Sequence, residues 1–105
     1  MPSTIAYPPL PYFYPGRLVA TPAALDACPA AYLSECLARH IRGDWGVVDS
    51  EDRAHNDAAL RNGDRLLSAY PIDPTKPACG HGDNCVWLIT EADRSVTTML
   101  LPGEY

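Results

Sequence analysis

A change of residue pattern at Gly63 constrains the fold of this chain more than any other feature. Between residues 30 and 43, apolar side chains recur at helical spacing, and Gly43 is a natural stop for that helix. After Gly63 the pattern becomes extended, because short runs of branched, aromatic and threonine residues alternate with turn formers. These runs predict successive antiparallel strands at 65–70, 86–90 and 96–101. Helices followed by strands are typical of an α+β domain.

Two other segments of the first half predict further helices. Thr21, followed by a proline, is the N-cap and first-turn signature of a brief helix that ends near Cys28. A polar helix is predicted from about 51 to 62, because acidic residues lie in its first turn and a glycine follows its last. Asp49 or Ser50 can supply its N-cap.

The expected architecture has two parts. Residues 1–15 are predicted to form an extended Pro/Tyr-rich arm, since proline fixes φ and removes a backbone donor. Residues 16–105 are predicted to form one α+β domain, a small antiparallel meander of three to four strands with two or three helices on one face. Residues 18–20 can add an edge strand. The arm either seals the protein's own core or acts as a polyproline II ligand for another protein.

Charge and composition argue against several classes of partner. The formal net charge is −5, from 13 acidic and 8 basic residues, whereas nucleic-acid binding depends on Lys and Arg side chains that neutralise phosphates. No nucleic-acid ligand is therefore expected. No apolar run approaches the roughly 20 residues of a membrane-spanning helix, so no membrane partner is expected either. Because the first residues do not have the pattern of a secretory signal, the sequence predicts a cytoplasmic protein.

The stretch CGHGDNC at 79–85 holds the candidate metal ligands Cys79, His81 and Cys85. Zinc takes four ligands in structural sites, and this spacing supplies three. A fourth ligand could come from the first half of the chain, from Cys28, Cys36 or His40. Free thiols, a disulfide between the two loop cysteines and a zinc site all stay open. A reducing cytosol favours free thiols, so no cofactor is expected and zinc is the alternative.

A second set of polar residues could carry chemistry if the fold brought its members together. It comprises imidazoles, carboxylates and one guanidinium: His40, Asp44, Asp52, His55, Glu91, Asp93 and Arg94. Such groups can transfer protons or bind a metal. The sequence contains no HExxH, nucleophile elbow or phosphate loop that would complete a catalytic site. Helix capping and turn formation account for acids at these positions, so the pattern favours a structural role and a small enzyme is the alternative.

Several stretches between residues 16 and 105 resemble a family of small proteins carried by plasmids and integrative elements of proteobacteria. The resemblance lies in the motif GDWG at 43–46 and in the ending ITEADRS-x-TT-x-LLP-x-EY at 89–105. It implies a bacterial mobile-element setting, and the family carries no settled biochemical function. The arm at 1–15 and the cysteine loop at 79–85 depart from the family pattern.

These observations favour a non-enzymatic binding protein that helps a mobile element by engaging a protein partner, for example one of a host defence or transfer system. A small acidic chain without a catalytic motif suits a surface binder. An exposed patch is expected to make the contact, with aromatic and basic side chains as its candidates: Tyr12, Tyr14, Trp45 and Arg94. The alternatives are the small enzyme and a structural zinc or redox module.

Overall fold

The computed structural model describes residues 11–105. Its elements follow in the order β1 Arg17–Ala20, α1 Pro22–Ala27, α2 Ala30–His40, α3 Ser50–Asn62, β2 Leu66–Tyr70, β3 Val86–Thr90, β4 Val96–Leu100 and a closing 3-10 turn, Pro102–Glu104. The predicted α+β class is confirmed. Residues 1–10 of the predicted arm lie outside the described part of the chain.

The strands form one mixed sheet in the order β1-β4-β3-β2. The antiparallel meander of β2, β3 and β4 is confirmed, with Ser68 opposite Leu88 and Leu88 opposite Met99. β1 pairs with β4 in parallel, with Leu18 beside Thr97. β1 and β2 occupy opposite edges of the sheet, and all three helices lie between them in the chain.

Local capping chemistry sets the helix boundaries, as the sequence predicted. The Thr21 hydroxyl accepts a hydrogen bond from the Ala24 amide at 3.1 Å and so caps α1. Asp49, rather than Ser50, caps α3, because its carboxylate accepts from the Asp52 amide at 2.8 Å. Gly63 ends α3 in the left-handed conformation that glycine adopts most readily.

Two groups of buried side chains hold the layers together. In the first, α1 and α2 cover the face of the sheet that carries Tyr70, Val86, Leu88 and Met99. The second group surrounds Trp45 near the β2 edge and includes residues of α3, of β2 and of the segments that precede β1, α3 and β3: Phe13, Val48, Ala59, Leu66, Ala69 and Cys85. Between residues 11 and 105, no helix is both long and apolar enough to span a membrane.

Candidate functional site

The most developed polar arrangement is a hydrogen-bonded series, here called the buried polar chain, that links Ser68, His40, Thr90, Thr97 and the Pro15 carbonyl. His40 ends α2 and lies fully buried between two strands. Its Nδ1 is 2.5 Å from Ser68 Oγ and its Nε2 is 2.8 Å from Thr90 Oγ1. Thr90 Oγ1 lies 2.6 Å from Thr97 Oγ1, and Thr97 donates to the Pro15 carbonyl at 2.8 Å.

The Pro15 carbonyl fixes the position of every proton along this chain, because a carbonyl can only accept. Thr97 donates its single proton there, so it must accept from the Thr90 hydroxyl. Thr90 has then used its own proton and must accept from His40 Nε2–H. Burial favours the neutral imidazole, and in that form His40 Nδ1 is unprotonated and accepts from Ser68. The chain thus sets which nitrogen of the neutral ring carries the proton.

The surroundings of His40 favour this neutral form. Burial, together with the nearby Arg94 charge, lowers the pKa of the imidazole to about 3. The rings of Phe13 and Trp45 pack edge-on against it, with centroids 5.2 and 5.8 Å away. A neutral imidazole with both ring nitrogens hydrogen-bonded satisfies the requirement for a buried histidine.

A serine hydrogen-bonded to a histidine is also the arrangement of an activated nucleophile. Here both Ser68 and His40 are fully buried, and the best-formed cavities of the described chain are lined by other residues. A nucleophile needs a concave site at which a substrate can reach it. The geometry therefore gives this pair an architectural role.

The other candidate catalytic carboxylates do not gather around His40. Asp44 pairs with Arg39 at 2.7 Å, and this hydrogen bond holds the pKa of its carboxyl below the ordinary range. Glu91 forms an ion pair with Arg65 at 3.6 Å. Asp93 accepts from the Ser95 amide at 3.0 Å, and the Ser95 side chain and amide together lower the pKa of the Asp93 carboxyl. Each of these acids has a local structural partner.

Asp52 and His55 both lie exposed on α3 but have separate surroundings. Asp52 lines a cavity of about 330 Å³ beside the cysteine loop. His55 Nε2 lies 3.3 Å from the Arg65 carbonyl, so this nitrogen donates to it. The two residues share no hydrogen bond within the described chain.

Arg94 acts as a clamp between the turn after β3 and the end of α3. Its backbone is left-handed, with φ of 60°. Its guanidinium donates to the carbonyls of Asp64, of Ala59 at 3.1 Å and of Glu91 at 3.3 Å. The guanidinium also lies 5.6 Å from the centre of the Phe13 ring. Backbone carbonyls occupy both terminal nitrogens of this guanidinium. It is therefore not free for the binding role that the sequence predicted for Arg94.

The cysteine loop has the geometry of an ordered turn. All four cysteines are free, with Cys79 exposed and Cys85 fully buried, and burial raises the pKa of Cys85 to about 11. Cys79 Sγ is 3.8 Å from His81 Nδ1. Across residues 11–105, no three His, Cys, Asp or Glu side chains are placed to hold one metal ion. Asn84 organises the loop, because its side chain bonds to the Asp73 amide at 2.7 Å and to nearby carbonyls.

The three aromatic candidates for binding comprise one buried and two exposed side chains. Trp45 is only 3% exposed and its indole N–H donates to Asp57 at 2.9 Å, so it lies in the core instead of on a surface patch. Tyr12 and Tyr14 are 65% and 79% exposed. Phe13, between them, is buried and contributes to the core as the arm was expected to do.

The two edges of the sheet present different surfaces. On the β2 edge, the Asn56 side chain bonds to both the amide and the carbonyl of Leu67, at 3.1 and 2.7 Å. The Ala69 amide donates to the Trp45 carbonyl, and the Ala69 carbonyl accepts from the Val47 amide. These side-chain and backbone groups occupy the outward backbone groups of β2.

The β1 edge lies open beside an apolar groove. Leu18 and Val19 are 49% and 36% exposed. Together with side chains of α1, α2 and β4, they line a cavity of about 190 Å³, here called the edge groove: Leu18, Val19, Ala20, Leu25, Ala30, Leu33, Ser34, Leu37 and Met99. Among the residues that the structure describes, no charged side chain lines the groove. The sequence predicted the strand but not the apolar groove beside it.

The sequence did not predict that Ser68, Thr90 and Thr97 join His40 in the buried polar chain. The one available signal is a hydroxyl at an inward position of an otherwise apolar strand, such as the serine in LLSAY at 66–70. Comparisons of the chain with protein-family models, curated proteins and solved structures found no match. A function for this chain therefore has to be inferred from its residues and their geometry.

Proposed function

We propose that this protein is a non-enzymatic binding protein that engages another protein through its tyrosine segment, residues 12–14. The observation that carries the proposal is the alternation of exposure along this segment. Two tyrosines project into solvent on either side of Phe13, which is 8% exposed and packs in the core. Tyrosine is among the residues that dominate the binding energy of protein interfaces.

The backbone around these tyrosines is fixed at several points. The Tyr12 amide donates to the Ile41 carbonyl at 2.7 Å. The Phe13 ring packs on His40, and the Pro15 carbonyl accepts from Thr97. A side chain presented from a fixed backbone loses less conformational entropy on binding than one on a mobile segment. Tyrosine adds to this advantage because it has only two rotatable side-chain angles.

The polar interior supports a binding function over a catalytic one. Within residues 11–105, every buried side-chain nitrogen and oxygen has a hydrogen-bond partner. The residues that were candidates for catalysis lie at separate places, and most of them serve the buried polar chain, turns or ion pairs. A reaction centre would instead require such groups to converge on one accessible cavity.

The cellular setting of the proposal rests on the sequence resemblance described above. The motifs of this chain resemble those of small proteins of proteobacterial plasmids and integrative elements, and we take that setting as part of the proposal. In this setting the partner is a protein inside the bacterial cell, for example a component of a host defence or transfer system. The net charge of −5 favours a partner surface with basic residues around an aromatic-binding pocket.

The test compares the full chain with a Tyr12→Ser, Tyr14→Ser double variant. Tagged protein is cross-linked in a proteobacterial host, and the recovered partner is purified and titrated by calorimetry. We expect at least a tenfold loss of affinity in the double variant, since removing an interface tyrosine typically costs more than about 1 kcal/mol.

Tyr105→Ser provides the matched control, because Tyr105 is 66% exposed and lies elsewhere, against Trp87. It should leave the affinity unchanged. Equal affinities for the double variant and the wild-type chain would contradict the proposal. So would the absence of any partner enriched over the untagged strain.

A further inference from the structure

We propose that two copies of this chain associate through their β1 strands, which pair antiparallel about a two-fold axis and join two four-stranded sheets into one. The occupant of the open edge is thus a second copy of the same strand. This association does not use the tyrosine segment, so it stands or falls separately from the proposed function. The backbone, the apolar side chains and the charges of the edge all support it.

The backbone of β1 has hydrogen-bonding groups directed away from the sheet. The Arg17 amide donates to the Ser95 carbonyl at 2.9 Å, and the Thr21 amide donates to the Met99 carbonyl at 3.0 Å. Alternate residues of a parallel strand bond to the same neighbour, so Leu18 and Ala20 direct their amides and carbonyls outward. No group of residues 11–105 bonds to them.

An antiparallel copy satisfies these groups in a single register. Leu18 lies opposite Ala20 of the second copy, and each pair exchanges two hydrogen bonds. Val19 then lies opposite Val19 of the second copy, on the two-fold axis, as a close pair without hydrogen bonds. The arrangement is isologous, so the same contact forms twice and the assembly closes as a dimer.

The side chains at this edge have the composition of an interface. Leu25, on α1, is 52% exposed, and with Leu18 and Val19 it accounts for three of the six large apolar side chains exposed along the described chain. In the proposed register, Leu18 of each copy approaches the edge groove of the other. Pairing therefore removes apolar surface from water in addition to forming backbone hydrogen bonds.

The charges are also complementary in this register. Arg17 lies opposite Thr21 of the second copy, and within one chain the Thr21 hydroxyl donates to the Glu104 carboxylate at 2.8 Å. Each Arg17 guanidinium thus approaches a Glu104 carboxylate of the other copy, and the two arginines stay apart. Within residues 11–105, Arg17 forms no ion pair. A like charge opposite Arg17 would repel the second copy. In this register no like charge of residues 11–105 lies opposite Arg17.

The decisive experiment is disulfide trapping of the full chain in a Cys79→Ser background, which removes the exposed native thiol. Val19→Cys should form a covalent dimer rapidly on mild oxidation, because close pairs of this kind place Cα atoms about 4.5 Å apart, within disulfide range. Thr98→Cys is the matched control. Thr98 lies beside Val19 on the next strand of the same sheet, one strand further from the axis.

Sedimentation velocity over a range of concentrations measures the association itself. We expect the full chain to be in monomer–dimer equilibrium, and Val19→Glu to weaken the dimer at least tenfold because it sets two carboxylates opposite each other. Circular dichroism verifies that this variant is folded. If it does not fold, the trapping experiment still decides the matter.

A full chain that stays monomeric at all concentrations would overturn the proposal, whether the edge is then free, covered by residues 1–10 or kept for another protein. Equal trapping of the Val19→Cys and Thr98→Cys variants would overturn it too. Selective trapping at position 19, together with a dimer that Val19→Glu dissociates, would establish it.

Discussion

The two edges of this sheet solve the same problem in opposite ways. Every edge strand carries unpaired amides and carbonyls that can recruit another strand. At the β2 edge, Asn56 and the backbone around Gly46 occupy those groups. At the β1 edge, prolines at positions 15 and 22 flank a strand of four residues, and no group of residues 11–105 bonds to its outward amides and carbonyls. The comparison shows that closing an edge requires specific groups, whereas shortening it requires only flanking prolines.

The largest expected effect comes from Gly46→Ala, which attacks the closed edge directly. Gly46 has φ of 76°, and an added Cβ would lie 1.9 Å from the Ala69 carbonyl oxygen. We expect a loss of about 4 kcal/mol in the free energy of unfolding, from backbone strain and broken edge hydrogen bonds. Urea denaturation measures it.

Gly63→Ala is the matched control for that substitution. Its φ of 73° is nearly the same, yet an added Cβ meets nothing within 4 Å. It should therefore cost only about 1 kcal/mol, the penalty for a left-handed residue with a side chain. Equal losses for the two variants would mean that the close approach at Gly46 is unimportant for the edge.

The second prediction removes the side chain that occupies the outward groups of Leu67. Asn56→Leu leaves the Leu67 amide and carbonyl without their partners beneath a buried side chain. Unpaired buried groups cost about 1–3 kcal/mol each, so we expect a loss of about 3 kcal/mol by urea denaturation. Asn62→Ala, at the exposed end of the same helix, should change stability by less than about 0.5 kcal/mol.

The third prediction concerns acid stability, because His40 joins β2 to β3 within the buried polar chain. Its pKa of about 3 in the folded state lies below its ordinary value of 6.5. The unfolded state therefore binds a proton first as the pH falls, and His40 contributes its full stability only above about pH 6.5. We expect the free energy of unfolding to fall by about 2 kcal/mol, through His40 alone, as the pH is lowered from about 6.5 to 4.5.

Urea denaturation across that interval, compared with His40→Gln, isolates the contribution of His40. The free energy of unfolding of the variant should depend less steeply on pH, and the difference in slope should correspond to about one proton. His81→Gln serves as the control, since His81 is exposed on the cysteine loop. Parallel pH profiles for the wild-type chain and His40→Gln would show that His40 is not the acid-sensitive group.

The smallest effect is expected at the open edge. Val19→Thr keeps the β-branched shape and the strand geometry, and Val19 is already 36% exposed. At concentrations where the chain is monomeric, stability should change by less than about 0.5 kcal/mol. A loss as large as that of Asn56→Leu would show that this edge is as integrated into the fold as the other one.

The sequence predicted the parts of the fold that depend on neighbouring residues. The caps at Thr21 and Asp49 and the glycine at 63 act within a few positions, so α1 and α3 could be predicted from local chemistry, and α2 from its apolar periodicity. The strand segments after Gly63 were predicted from their composition, and the structure confirms them.

Long-range polar contacts could not be predicted in the same way. His40 finds Ser68 and Thr90 across 28 and 50 positions of sequence, and no periodic pattern encodes such a distance. Its place beside the apolar stripe of α2 indicated only the edge of the core. The burial of Trp45 and the parallel pairing of β1 likewise depend on the whole topology. The functional role and the partner therefore remain predictions, and the experiments above test them.

The buried polar chain also makes stability depend on the register of the strands. It takes one hydroxyl from each strand of the meander, so correct pairing is required at three strands at once. If β2 slid by two residues, leucine or tyrosine would replace Ser68 and His40 would lose an essential proton donor. Misaligned pairings thus carry a penalty that an all-hydrocarbon interior would not impose, and the sequence discriminates among neighbouring alignments through four side chains.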